Sequence, residues 1–246
     1  SSAVNKNIVS SRKIGERRIP SVDFQEPLCA TRPFSSSSHS IQYQALAQRQ
    51  HVAIMMKNCT EFLQVAQGAL RAGIIFTPIS THLKQDETAY IITNCKAKLF
   101  IASASLADVA LEAASASSGL SRCLSVGGDI AGFERLDEQL GSLPETPIED
   151  EFLGAPMLYS SGTTGKPKGV YWAPHAESIH TDHPMSGSVG AFFGFGVDTI
   201  YLSPAPLYHA APLHYNIMVL GLGGTSLIME PVSYTHLRAH ETEADL

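Results

Sequence analysis

The residues best suited to chemistry form one run: Tyr159-Ser160-Ser161-Gly162-Thr163-Thr164-Gly165-Lys166-Pro167-Lys168-Gly169-Val170. Its three glycines let the backbone bend sharply and come close to a ligand. Four Ser/Thr hydroxyls and the exposed backbone N–H groups are donors for anionic oxygens, and Lys166 and Lys168 add positive charge to a chain of formal net charge −6. That donor set suits a polyphosphate, held as in other backbone anion nests. The run is not a Walker A loop, which has four residues between its glycines and Ser or Thr after the lysine. Here two residues separate Gly162 from Gly165, and Pro167 follows Lys166. A second grouping, His175, His180 and His183, has spacings of five and three. The helical metalloprotease pair is spaced four with a Glu beside the first His, so these histidines read as part of a polar loop, with metal binding as a rival reading.

An anion loop needs a scaffold, and the flanking sequence supplies one. The apolar stretch Pro156–Ser160 reads as a strand that leads directly into the loop. Upstream, Phe62, Leu63, Val65, Ala66, Leu70 and Ala72 fall near helical spacing in a helix over 61–72 that Gly73 stops. A short buried strand follows over 74–78. A helix over 84–95 carries Asp86 and Glu87 near its start, where the dipole favours negative charge. A strand over 98–102, a helix over 105–114 and a strand over 122–126 continue the alternation, which implies parallel βαβ units and an α/β fold. In such sheets ligands sit at the carboxyl ends of the strands. The acidic stretch 141–151 reads as a surface connection. Residues 199–229 contain no Asp, Glu, Lys or Arg, and an apolar span of about 20 residues is long enough to cross a bilayer. Pro204, Pro206 and Pro212, with Gly221, Gly223 and Gly224, break the stretch into a buried strand–helix–strand at the centre of a large domain instead.

Composition sets the outer limits. With 246 residues, 44% hydrophobic and 16% charged, the chain supports a core and is not disordered throughout. Net charge −6 and a pI near 5.9 argue against nucleic-acid binding, which needs a basic face. Cys29, Cys59, Cys95 and Cys123 show no CxxC pair and read as free thiols in a reducing compartment, taken as the cytoplasm. Residues 1–50 carry seven basic and three acidic side chains and are rich in serine. A transit peptide shares that composition, but the preferred reading is a disordered or non-native leader. At the other end, the eleven residues Val232–Thr242 resemble translated read-through of a transposase-type sequencing adapter, which would make 232–246 foreign to the fold.

The anion loop resembles the signature of the adenylate-forming acyl-CoA synthetases, the AMP-binding ligases. The resemblance extends to Val52–Asn58, Glu61-Phe62, Ala69–Gly73, Thr77–Ile79 and Glu87–Ile91, to Leu202–His209 as the family's second core motif, and to the glycine turn Leu220–Thr225. It covers 51–231, which then reads as a partial adenylation domain: parallel βαβ units forming the front part of the large domain, itself incomplete. Within the family the chain is most similar to medium-chain, long-chain and steroid-side-chain ligases.

The resemblance implies a fragment of an enzyme that joins a carboxylic acid, expected to be aliphatic, to ATP. Coenzyme A then converts the acyl-adenylate to a thioester. It also implies that Ser160, Ser161, Gly162, Thr163, Thr164, Gly165, Lys166 and Lys168 hold the β- and γ-phosphates, with Mg²⁺ near a loop hydroxyl that the sequence does not single out. His209 would line the place where the acyl carboxylate and the pantetheine arm meet; without the surrounding motif it would read as a turn histidine. Two departures stand out. Pro212 occupies a position where the family often has Gly, which puts the local pocket shape in doubt, and the segment before His51 does not match. The family's later acidic motifs, hinge and lysine-bearing terminal domain are not found in the chain, so the fragment is expected to be inactive alone. Rival readings are an inactive nucleotide-binding remnant, an aryl-CoA ligase and a peptide-synthetase adenylation domain.

Overall fold

The computed structural model describes residues 6–10, 49–141, 152–160, 166–171 and 190–229. Within them the expected alternation is present as β2 (His51–Met55), α1 (Thr60–Arg71), β3 (Ile75–Pro78), α2 (Gln85–Asn94), β4 (Ala97–Ser103), α3 (Ala107–Ser115) and β5 (Arg122–Val126). The short β6 (Glu134–Arg135) and α4 (Leu136–Gly141) follow, then β7 (Ala155–Ser160) and β8 (Lys168–Tyr171). One sheet of seven strands runs β6-β5-β4-β2-β3-β7-β8. Every pair in it is parallel except the β7–β8 hairpin. A second sheet joins β9 (Ile200–Ser203) and β10 (Thr225–Met229) in parallel across α5 (Ala210–Gly221). The fold is thus α/β with a mostly parallel sheet.

Side-chain alternation explains the layering. Along β2, Val52 and Ile54 face one way, and Ala53 and Met55 the other. The first set packs with Leu99, Ile101 and the α1 residues Phe62, Leu63 and Ala66. The second set packs with Phe100, with Ile91 and Ile92 of α2, and with Ala110 of α3. A strand covered on both faces reads as a continuous apolar run, as β2 does. Helix α1 ends where expected: Gly73 adopts φ 71°, and Ile74 N–H returns to Ala69 O at 2.9 Å. At the start of α2, Glu87 Oε2 accepts the Lys84 N–H at 3.0 Å, one half of a capping box.

Four features depart from the sequence reading. The helix expected over 105–114 opens as a 3₁₀ turn, Ala104–Leu106, before α3. Helix α4 was not foreseen, since six residues are too few to show a helical period. Residues 200–229 do form strand–helix–strand, and α5 buries Leu213, Val219 and Leu220, but Ile200 and Leu202 of β9 remain 55% and 54% exposed. Strand β9 is a sheet edge, and α5 packs only on its inner side, where Ser203 is fully buried. Finally, residues Lys6–Ser10, inside the segment read as a disordered or non-native leader, form a strand, β1, paired antiparallel along the whole of β10. That pairing satisfies the backbone groups on the second edge of β10. Among the described residues no helix is long and apolar enough to cross a membrane. The stretch 142–151, His175, His180 and His183, and the segment 232–246 lie outside the described residues.

Candidate functional site

Strands β2, β3, β4, β5 and β7 are parallel, so their carboxyl ends share one edge. The anion loop leaves that edge from β7, and the chain returns as β8 with Ser160 opposite Lys168 and Tyr159 opposite Gly169. Ser160, Lys166 and Lys168 are exposed, while Ser161, Gly162, Thr163, Thr164 and Gly165 lie outside the described residues. Glycine at 169 lets the hairpin pack closely: a Cβ there would come within 2.2 Å of Met157 Cε, the flexible end of a side chain, and about 3 Å of the Tyr159 ring. Tyr159 in turn donates its O–H to Asn94 Oδ1 on α2 at 2.6 Å. Burial pushes the Tyr159 phenol well above its ordinary range, so it stays a donor. From the same helix, Tyr90 donates to Pro167 O at 3.1 Å, and the Lys166 ammonium stands 5.1 Å from the centroid of its ring.

His209 arrives at this edge by another route. It is the residue just before α5, with φ −87° and ψ 149°, and it is exposed. Its ring lies 4.5 Å from that of Tyr208, which meets His82 edge-on at 6.4 Å. His82 belongs to the turn that follows β3, the neighbour of β7. The 204–209 turn is held by Asn58, 4% exposed, at the end of β2. Asn58 Nδ2 donates to Ala205 O at 2.9 Å and to Met229 O at 3.0 Å, and Asn58 Oδ1 accepts the Leu207 N–H at 2.8 Å. The turn that carries His209 thus contacts the segments that follow β2 and β3, while the two lysines lie beyond β3, at the β7–β8 hairpin of the same sheet.

Pro212 proves compatible with this arrangement. It is the third residue of α5, a position whose N–H has no intrahelical partner, so the ring removes no helix bond. Leu213 N–H makes the first intrahelical bond, to His209 O, at 3.2 Å. Lys57, exposed at the end of β2, adds a further cation to the edge, and its N–H bonds Ser103 Oγ at 3.0 Å. Among the described residues no cluster of three His, Cys, Asp or Glu side chains is placed to hold a metal.

Sequence reasoning missed Asn58, Tyr90, Asn94 and His82 as site residues. Each had a faint signal, a polar or aromatic group just after a strand or on a helix flank, but their partners are 65 to 171 residues away for Tyr159–Asn94, Tyr90–Pro167 and the two Asn58 donor bonds.

Comparison with known proteins identifies the family and the fold. The family described as AMP-binding enzyme matches residues 38–243. A 4-hydroxybenzoate–CoA/benzoate–CoA ligase of Rhodopseudomonas palustris is 30% identical over 187 residues, covering 74% of this chain and 33% of that protein. The long-chain-fatty-acid–CoA ligase FadD13 of Mycobacterium tuberculosis is 30% identical over 195 residues, covering 76% and 36%. The chain thus spans about one third of the length of these curated relatives. Among solved structures, the N-terminal domain of FACL13 from M. tuberculosis shows 26% identity and a TM-score of 0.61, covering 78% of this chain and 47% of that one. A long-chain-fatty-acid–CoA ligase from Archaeoglobus fulgidus, at 18% identity, shares the fold with a TM-score of 0.69 over 86% and 41%. By sequence match and by fold, the chain belongs to the AMP-binding enzyme family.

Proposed function

We propose that this chain is the front part of an acyl-CoA ligase. In the first step a carboxylate oxygen attacks the α-phosphorus of ATP, the bond to the β-phosphate breaks, and pyrophosphate leaves. In the second step the coenzyme A thiolate attacks the acyl carbonyl and AMP leaves. Residues 51–231 would be the partial adenylation domain, inside the family match of 38–243, and the adapter reading of 232–246 would require that match to run past the native sequence. Ser160, Ser161, Gly162, Thr163, Thr164, Gly165, Lys166 and Lys168 would hold the β- and γ-phosphates, and His209 would border the acyl carboxylate and the pantetheine arm. Charge control by such donors is most of the catalytic work in phosphoryl chemistry. The exposure of Lys166 and Lys168 supports their role in holding a triphosphate. The Mg²⁺ ligand is left unassigned.

The observation that supports this reading is that both motifs border the same edge of the sheet. The anion loop ends β7, and the His209 turn is seated on the ends of β2 and β3 beside it. Relatives named as benzoate and long-chain-fatty-acid CoA ligases support a carboxylic acid as the substrate. An aliphatic acid is the finer proposal.

The test starts from the source DNA, read across the junction near Pro231 to recover the complete frame. The encoded protein should release pyrophosphate only when an acid is present, more with palmitate than with benzoate. Lys168→Ala should slow release by about 100-fold or more. The 246-residue chain alone should release none; acid-dependent release from it, abolished by Lys168→Ala, would overturn its assignment as an inactive part. A complete protein that binds ATP with no acid-dependent release would favour a nucleotide-binding remnant.

A further inference from the structure

Helix α2 grips the anion loop on both sides. Tyr159, on the strand leading in, donates to Asn94 at 2.6 Å; Pro167, on the way out, accepts from Tyr90 at 3.1 Å. Tyr90 and Asn94 are four residues apart, so they lie on one face of the helix. The ring of Tyr90 makes a further contact: the Lys166 ammonium stands 5.1 Å from its centroid, within the range where a ring face attracts a cation. Lys166 itself is exposed. A lysine there has many rotamers, and a ring that restricts them lowers the ordering required when an anion arrives.

We propose that α2 is the positioning device of the anion loop and that Tyr90 is its key residue. The hydroxyl fixes the loop where it rejoins β8, and the ring presents the Lys166 ammonium to an incoming polyphosphate. The second half of this inference rests on the reading of the loop as a phosphate site. Tyr90 acts through Pro167 and Lys166; it is a positioning residue and does not touch the phosphates.

The experiment uses the 246-residue chain, its variants Tyr90→Phe, Tyr90→Leu, Lys166→Ala and Lys168→Ala, and the double variant Tyr90→Leu/Lys166→Ala. Two quantities are read: amide hydrogen exchange over 166–171 without nucleotide, and the affinity for Mg-ATP and for pyrophosphate by equilibrium dialysis. Tyr90→Phe keeps the ring and loses one hydrogen bond, so exchange over 168–171 should rise and both affinities should fall about fivefold. Tyr90→Leu also loses the ring and should cost about tenfold or more. With Lys166 already removed, Tyr90→Leu should cost no more than Tyr90→Phe does alone, a coupling that a purely structural tyrosine would not show.

If the chain binds ATP but neither exchange nor affinity responds to Tyr90→Phe, the inference is overturned while the phosphate site stands. An equal cost of Tyr90→Leu with and without Lys166 would overturn the presenting role of the ring. A wild-type chain that binds neither ATP nor pyrophosphate, or binds them equally well as Lys168→Ala, would remove the phosphate reading and the Lys166 role with it. The response of exchange to Tyr90→Phe would still report the grip of α2 separately.

Discussion

Asn58 offers the sharpest test of how the His209 turn is held. Its buried amide makes three hydrogen bonds, donating to Ala205 O and Met229 O and accepting from Leu207 N–H, at 2.8 to 3.0 Å. A typical internal hydrogen bond contributes about 1 kcal/mol net, and a buried group left unpaired costs about 1–3 kcal/mol. Asn58→Ala leaves the Leu207 N–H unpaired where the Leu207 side chain is fully buried, while Ala205 and Met229 are only half-buried and their carbonyls can recover water. The expected loss is therefore about 3 kcal/mol, or about a hundredfold in the folded-to-unfolded ratio. Asn58→Asp separates the bonds. It keeps the acceptor for Leu207 but turns the donor towards two carbonyls into a repelling oxygen, so at neutral pH it should be at least as damaging. The carboxyl should have a raised folded-state pKa, so stability should recover as pH falls and the protonated oxygen donates to one carbonyl. Urea unfolding followed by far-ultraviolet circular dichroism measures both variants. Sub-micromolar protein limits association through the exposed Phe192 and Phe193 rings, 83% and 50% accessible. A loss below about 1 kcal/mol for Asn58→Ala, or an Asn58→Asp variant as stable as wild type at neutral pH, would refute the three-bond account.

Other consequences are as direct. Gly154→Ala should destabilise by about 3 kcal/mol in the same urea assay, because a Cβ there would sit 2.3 Å from Ile74 O and 2.6 Å from Ala69 O, backbone atoms that cannot swing aside; normal stability would contradict that packing. Burial, then the Lys96 charge, holds the His51 pKa below its ordinary 6.5. The unfolded chain therefore binds this proton first, and stability should fall as pH drops through about 6.5 and below. Comparing wild type with His51→Gln between about pH 8 and about pH 5 isolates the effect, and identical slopes would dismiss it. Burial pushes the Cys123 thiol up to about 11, so near pH 8 native Cys123 should react with iodoacetamide about two orders of magnitude more slowly than a free thiol. Cys59 and Cys95, whose pKa values burial also raises, should be protected until the chain unfolds; rapid native labelling read by mass spectrometry would refute their placement.

Much of the main sheet was legible in the chain itself. The strand over 122–126 has the bounds expected, and α1, β3 and α2 lie within a residue of theirs. These elements announce themselves locally, by apolar period, by Gly73 as a stop and by Glu87 in the first turn. Strand β8 was less visible because Lys168–Tyr171 is partly exposed and pairs only with β7. The pairing of β1 with β10 was invisible for a stronger reason. It joins Lys6 to Met229, and no local pattern encodes a partner so distant, whose contact must outweigh the entropy of closing so long a loop.

The same division runs through the site. The glycines, hydroxyls and lysines of residues 160–169 point to an anion loop by type and spacing alone, because donor chemistry belongs to the residues themselves. The family followed from motifs in order along the chain. What the tertiary structure decided is which groups hold that chemistry in place: Tyr90 and Asn94 on α2, Asn58 after β2, and the His82–Tyr208–His209 row of rings. Each is an ordinary residue until the parallel sheet gathers the carboxyl ends of its strands on one edge, because a hydrogen bond depends on distance and angle and sequence spacing specifies neither between remote segments.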